Sequence, residues 1–63
     1  MQKDMQIPLY NKGQEVIVDF ALGSAVVIIK NFLHVYDGSV IYYVEDKNTG
    51  HQDFVGQENI RLL

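Results

Sequence analysis

The sequence predicts an all-β domain of five short strands. Glycines at positions 13, 23, 38, 50 and 56 divide the chain into short runs. Those runs are rich in Val, Ile, Tyr and Phe, the side chains that suit a pleated, half-buried surface. Two of the breaks, Asp37-Gly38 and the "DKNTG" stretch ending at Gly50, carry the residues that reverse an antiparallel chain. With 63 residues the chain makes one domain.

Residues 1–12, "MQKDMQIPLYNK", are expected to form a flexible N-terminal arm, and residues 13–63 the folded body. Pro8 interrupts any regular element in the arm. Ile7, Leu9 and Tyr10 nevertheless give it some apolar grip, so an edge strand or a docking segment is the alternative. Glu15 to Phe20 alternates, with Val16, Val18 and Phe20 on one face, which is the pattern of a half-buried first strand. "ALGS" then turns the chain into a long second segment, Ala25 to Tyr36. Asp37-Gly38 predicts a two-residue type I′ hairpin leading to a third strand, Val40 to Glu45. "DKNTG" predicts a second hairpin loop, with Gly50 in a left-handed position, and a fourth strand over His51 to Val55. "GQEN" suits a single 3₁₀ turn before a closing strand over Ile60 to Leu63.

A helix competes for the second segment. Ala25, Ile28, Ile29, Phe32, Leu33 and Tyr36 follow the i, i+3, i+4, i+7 spacing of an amphipathic helix, and Ser24 would cap it. The strand is favoured because the segment is rich in β-branched residues and because Val40 to Glu45 needs a hairpin partner.

The composition bounds function. The chain has no cysteine, which rules out disulfides and thiolate metal sites and fits a cytoplasmic protein. No apolar run reaches the roughly 18 residues of a membrane helix, and the N-terminus has no signal-peptide core. The net charge is −3, and the five basic residues are scattered, so nucleic acid is a less favoured partner than protein. His34 and His51 are the only histidines. His51 and Asp53 share a strand face, yet two groups are too few for a structural metal site, and surface histidines beside turns are the simpler reading. No nucleophile with a partner base and no phosphate loop is present, so one subunit alone is expected to lack catalysis, and no cofactor is expected. Tyr36, Tyr42, Tyr43 and Phe54 are candidates for an aromatic cage around a cation, with core packing as the alternative. Glu45, Asp46, Asp53 and Glu58 form an acidic group that could meet a basic partner or serve as a solvated rim.

The segments "KGQEVIVDF", "GSAVVII", "DGSVIYYVED" and "FVGQENIRLL" together resemble an SH3-like barrel of the Tudor and KOW kind, from Lys12 to Leu63. The resemblance implies a five-stranded barrel with a 3₁₀ turn before the last strand. It also implies a binding role, in a class of small barrels that recurs as accessory proteins of bacteria, plasmids and phages. A narrower similarity is to the type II dihydrofolate reductases, barrels that assemble around a shared pore. Their Val-Gln-Ile-Tyr motif falls at "HQDF", where only Gln52 matches. On that reading Gln52 and Phe54 line the pore. His51, Asp53 and Phe54 depart from the motif, and the chain has no tryptophan.

The runs Val26–Ile29 and Val40–Val44 are apolar on both strand faces. A barrel has one interior, and Ala25, Val27, Ile29, Val40, Tyr42 and Val44 are expected to fill it. Val26, Ile28, Ile41 and Tyr43 then face outward, with Phe32 beside them past a bulge near Lys30 and Asn31. A contiguous outer patch marks an interface, and a domain of this size buries only about 60% of its unfolded surface. Self-association is therefore expected through Val26, Ile28, Phe32, Ile41 and Tyr43.

Overall fold

The computed structural model describes residues 7–35 and 37–63, which form five antiparallel strands and one 3₁₀ turn. The strands are β1 (Glu15–Phe20), β2 (Gly23–His34), β3 (Val40–Asp46), β4 (Gln52–Gly56) and β5 (Ile60–Leu62), with the 3₁₀ turn Gln57–Asn59 before β5. They lie in one sheet in the order β4-β3-β2-β1-β5, a small all-β fold compatible with a β-barrel. Every element expected from the sequence is present, and the second segment is strand rather than helix.

The long strand β2 joins the two halves of the sheet. Its first half pairs with β1 from Gly23 to Ile28, and its second half continues along β3 from Val27 to His34. Between Ile29 and Asn31 the register shifts, leaving Lys30 as the extra residue of a β-bulge. A bulge bends its strand and sharpens the local twist, which lets one strand serve two directions of sheet.

The core is the inner face of this sheet. Val16, Val18, Val27, Ile29, Val40, Tyr42 and Val44 are 0–1% exposed, and Val55, Ile60 and Tyr10 close around them. Each Val or Ile so buried contributes about 1.5–3 kcal/mol of transfer free energy. The cross-strand pairs Val16↔Val27 and Ile29↔Val44 place these side chains opposite one another.

Two features differ from expectation. Residues 7–12 belong to the segment expected as an arm, yet Tyr10 is in the core. Its ring meets that of Tyr42 edge-on at 5.6 Å, and its hydroxyl donates to the Ile60 carbonyl at 3.2 Å. The Tyr42 hydroxyl donates to Gln57 Oε1 and accepts the Leu9 N–H at 3.0 Å, while Gln57 Nε2 donates to the Ile7 carbonyl at 3.1 Å. A buried tyrosine needs a partner for its hydroxyl, and this segment supplies it while covering one end of the barrel. Residues 1–6 lie outside the described residues.

The hairpin between β2 and β3 is also not the two-residue turn expected. The Gly38 N–H donates to the Val35 carbonyl at 2.8 Å, and the Val35 N–H donates to the Ser39 carbonyl at 2.9 Å. Three residues therefore connect the paired positions. Gly38 takes a left-handed backbone (φ +90°), the one such residue of this connection among the described residues, while the Asp37 carboxylate accepts the Ser39 N–H at 2.9 Å. A three-residue connection of this kind needs one left-handed residue instead of two. Tyr36, at its start, lies outside the described residues.

Candidate functional site

Side chains on neighbouring strands share a face when their residues pair, and positions two apart along a strand share it too. These rules place the candidate residues. Val26 pairs with Ile17, and Ile28 pairs with Glu15 on one side and Glu45 on the other. Beyond the bulge, Asn31 pairs with Tyr43 and Leu33 with Ile41. Across β3, Tyr43 pairs with Phe54 and Glu45 with Gln52. Val26, Ile28, Ile41, Tyr43, Gln52 and Phe54 thus lie on one face, the outer one, opposite the core. Val26, Ile28, Ile41 and Tyr43 are half-buried there, and Phe54 is 60% exposed.

Phe32 is the exception. It pairs with Tyr42, whose side chain is in the core, and their rings lie 6.0 Å apart. The physical reason is the bulge. One extra residue at Lys30 reverses the alternation, so Phe32 moves to the inner face and Asn31 and Leu33 take its place outside. The Phe32 ring still reaches solvent at the strand's end, 37% exposed and edge-on to His34.

The outer residues are organised as well as exposed. Tyr43 and Phe54 stack in a tilted arrangement with ring centroids 5.0 Å apart. The Tyr43 hydroxyl donates to Gln52 Oε1, and Gln52 Nε2 donates to Glu45 Oε1 at 3.0 Å. This chain holds the Tyr43 ring beside Phe54 instead of leaving it to rotate. Together with Asn31, Phe32 and Leu33 the two rings line an open groove of about 450 Å³. Leu33, 47% exposed, and Asn31 are groove residues that the sequence reading missed. The signal that identifies them is the bulge itself, followed through to its effect on parity.

The proposed aromatic cage does not assemble from its described members. Tyr43 and Phe54 meet on the outer face, but Tyr42 is fully buried on the other side of β3. His51 and Asp53 border a second cavity, of about 350 Å³, together with Phe20, Ala25, Val27, Val44, Asp46 and Thr49. Among the described residues no group of three or more His, Cys, Asp or Glu is placed to hold a metal. No helix among the described residues is long and apolar enough to cross a membrane.

Charged side chains also stand on the outer face, where Glu15 and Glu45 flank Ile28. Arg61 donates to both carboxylate oxygens of Asp19, from Nε at 2.9 Å and Nη2 at 3.0 Å, and Ser24 donates to the same carboxylate at 2.7 Å. These hydrogen bonds, Arg61 first, hold the Asp19 carboxyl below its usual range and raise Arg61. Lys47 pairs with Glu15 at 3.0 Å. Comparison with protein family descriptions, with curated proteins and with solved structures finds no match to this chain.

Proposed function

We propose that this chain is a small non-enzymatic binding module, an SH3-like barrel of the Tudor and KOW kind, that associates with copies of itself through the outer face of β2, β3 and β4. The observation that carries this reading is the groove between Leu33, Tyr43 and Phe54, where large apolar side chains stand exposed on a sheet whose other face carries the core. A phenylalanine presents about 150–250 Å², so Phe54 and Leu33 on the outer face together leave roughly 200 Å² of apolar surface in water at their observed exposures.

A stable interface buries about 800 Å² per partner, of which about 56% is apolar. These two residues thus supply nearly half of the apolar area one partner needs. Half-buried Val26, Ile28, Ile41 and Tyr43 extend the same face. A second copy is the occupant that the size of the domain favours, because a barrel this small has little core of its own. A twofold arrangement makes the patch its own complement.

The reading is tested by mass in solution. Light scattering on the purified chain is expected to give a multiple of 7.2 kDa. Ile28→Lys is expected to lower that mass while keeping the fold, since position 28 lies between Glu15 and Glu45 and a lysine there finds carboxylates on both sides. A variant with unchanged mass refutes the interface. The association is expected to survive added salt, because its basis is apolar and each copy carries net charge −3.

A further inference from the structure

We propose that the second cavity, at the open mouth of the barrel, binds an alkylammonium group: the side chain of an unmodified lysine on a partner, or a free diamine. The acidic residues noted in the sequence are only partly a solvated rim. Val27 pairs with Asp46 and Val44 with Asp53, so each carboxylate stands on the inner face directly beside a core valine. Phe20 and Ala25 complete an apolar floor, and Thr49 and His51 complete the rim. The opposite end of the barrel is covered by Tyr10 and its neighbours, whereas this cavity stays open, with about 350 Å³ of space.

The electrostatics select the ligand. Glu15 and Asp19 each have a cation, Lys47 and Arg61. No described Lys or Arg pairs with Asp46 or Asp53. Asp46 Oδ1 accepts the N–H groups of Asn48 and Thr49 at 2.8 and 3.1 Å, and Asp53 Oδ1 accepts the Phe54 N–H at 2.8 Å. The Oδ2 atom of each carboxylate makes no hydrogen bond among the described residues. Two acceptors of negative charge at the rim of an apolar hollow suit a cation on a hydrocarbon stem. Lysine has that shape: a compact ammonium with three donors on four flexible carbons. The stem lies on Phe20, Val27 and Val44, and the ammonium donates to the two Oδ2 atoms. A divalent metal is a poorer fit, because the site offers fewer oxygen ligands than such an ion takes. A methylated ammonium is also poorer. Its binding depends on several Trp, Tyr or Phe faces, and Phe20 is the one such ring in the lining.

The test is a titration of the full chain followed by amide and methyl NMR shifts. The probes are a neutral-capped lysine amide within a short peptide, its trimethyl-lysine counterpart, 1,5-diaminopentane and butanol. Saturable shifts at Phe20, Val27, Val44, Asp46 and Asp53 are expected with the lysine peptide or the diamine at millimolar concentration, and the trimethyl form is expected to bind several-fold more weakly. Shifts with the diamine alone assign the site to free amines, and shifts with the peptide assign it to a protein partner. Asp53→Asn is expected to weaken binding by about tenfold. Asp46→Asn keeps an oxygen for the turn amides and is expected to weaken it similarly, with Tyr10 and Tyr42 shifts unchanged in both variants as the check on folding. No saturable shift with either amine at low salt overturns the proposal. So does equal binding of butanol, or a double Asp46→Asn/Asp53→Asn variant that binds like the wild type. The site lies across the sheet from the self-association groove, so either can fail without the other.

Discussion

The two faces of the β2–β3 hairpin carry nearly the same side chains and end in opposite conditions. On the inner face Val27, Ile29, Val40, Tyr42 and Val44 are 0–1% exposed. On the outer face Val26, Ile28, Ile41 and Tyr43 are only half-buried, and Leu33 and Phe54 are more exposed still. Composition does not distinguish the faces. What distinguishes them is that the inner face meets β1, β4, β5 and Tyr10 across the barrel, while the outer face meets only its own neighbours within the sheet. An apolar residue is stabilising only to the extent that something covers it, so the outer face holds free energy that folding alone has not drawn on.

That contrast can be broken from the inside first. Tyr42→Ala removes a fully buried ring and the hydroxyl that accepts the Leu9 and Tyr10 N–H groups, and is expected to cost about 3–5 kcal/mol. A domain this small has little reserve, so thermal or urea unfolding is expected to show a largely unfolded chain. A cooperative, near-wild-type transition would mean the inner face is not the core. Tyr10→Phe isolates one part of this, the hydrogen bond to Ile60, and is expected to cost about 1 kcal/mol. A wild-type urea midpoint for that variant would show the segment does not help to close the barrel.

Substitutions on the outer face sharpen the contrast by changing association instead of folding. Leu33→Glu and Phe54→Lys are expected to leave the circular dichroism of a β-protein intact and to yield monomers by sedimentation. The converse, loss of fold with retained mass, would reverse the roles assigned to the two faces. The smallest effect belongs to the margin. The folded pKa of Asp19 is depressed by Arg61 and Ser24. Its stabilising contribution is therefore present above the unfolded value of about 3.9 and is lost as pH falls through the lower folded value. Stability is expected to be insensitive to this pair near neutrality, with Asp19→Asn flattening only the acid limb below about pH 4. A change in the neutral range would point to a different group.

Much of this contrast was legible in the sequence, for a physical reason. Up to Ile29, β2 is a regular strand, and strict alternation assigns Val27 and Ile29 inward and Val26 and Ile28 outward. On β3 no bulge intervenes, and Val40, Tyr42 and Val44 fall inside as expected. Past Lys30 the alternation reverses, which moved Phe32 to the inner face and brought Asn31 and Leu33 to the groove. A bulge is a matter of one unpaired residue, and Lys30-Asn31 marks its neighbourhood without fixing its parity. Tyr10 was hidden for another reason: one aromatic in a polar segment broken by Pro8 shows no periodicity, and only the buried Tyr42 hydroxyl explains its place. The turn at Asp37-Gly38 was correct in location, but the dipeptide suits both two- and three-residue connections.

The most direct test of self-association through the outer face is the mass of the wild-type chain and of Leu33→Glu, measured side by side by light scattering across a concentration series. The wild type is expected to approach a fixed multiple of 7.2 kDa as concentration rises, with the variant at 7.2 kDa throughout. A wild type that stays at 7.2 kDa at every concentration, or a variant that assembles as the wild type does, contradicts the account.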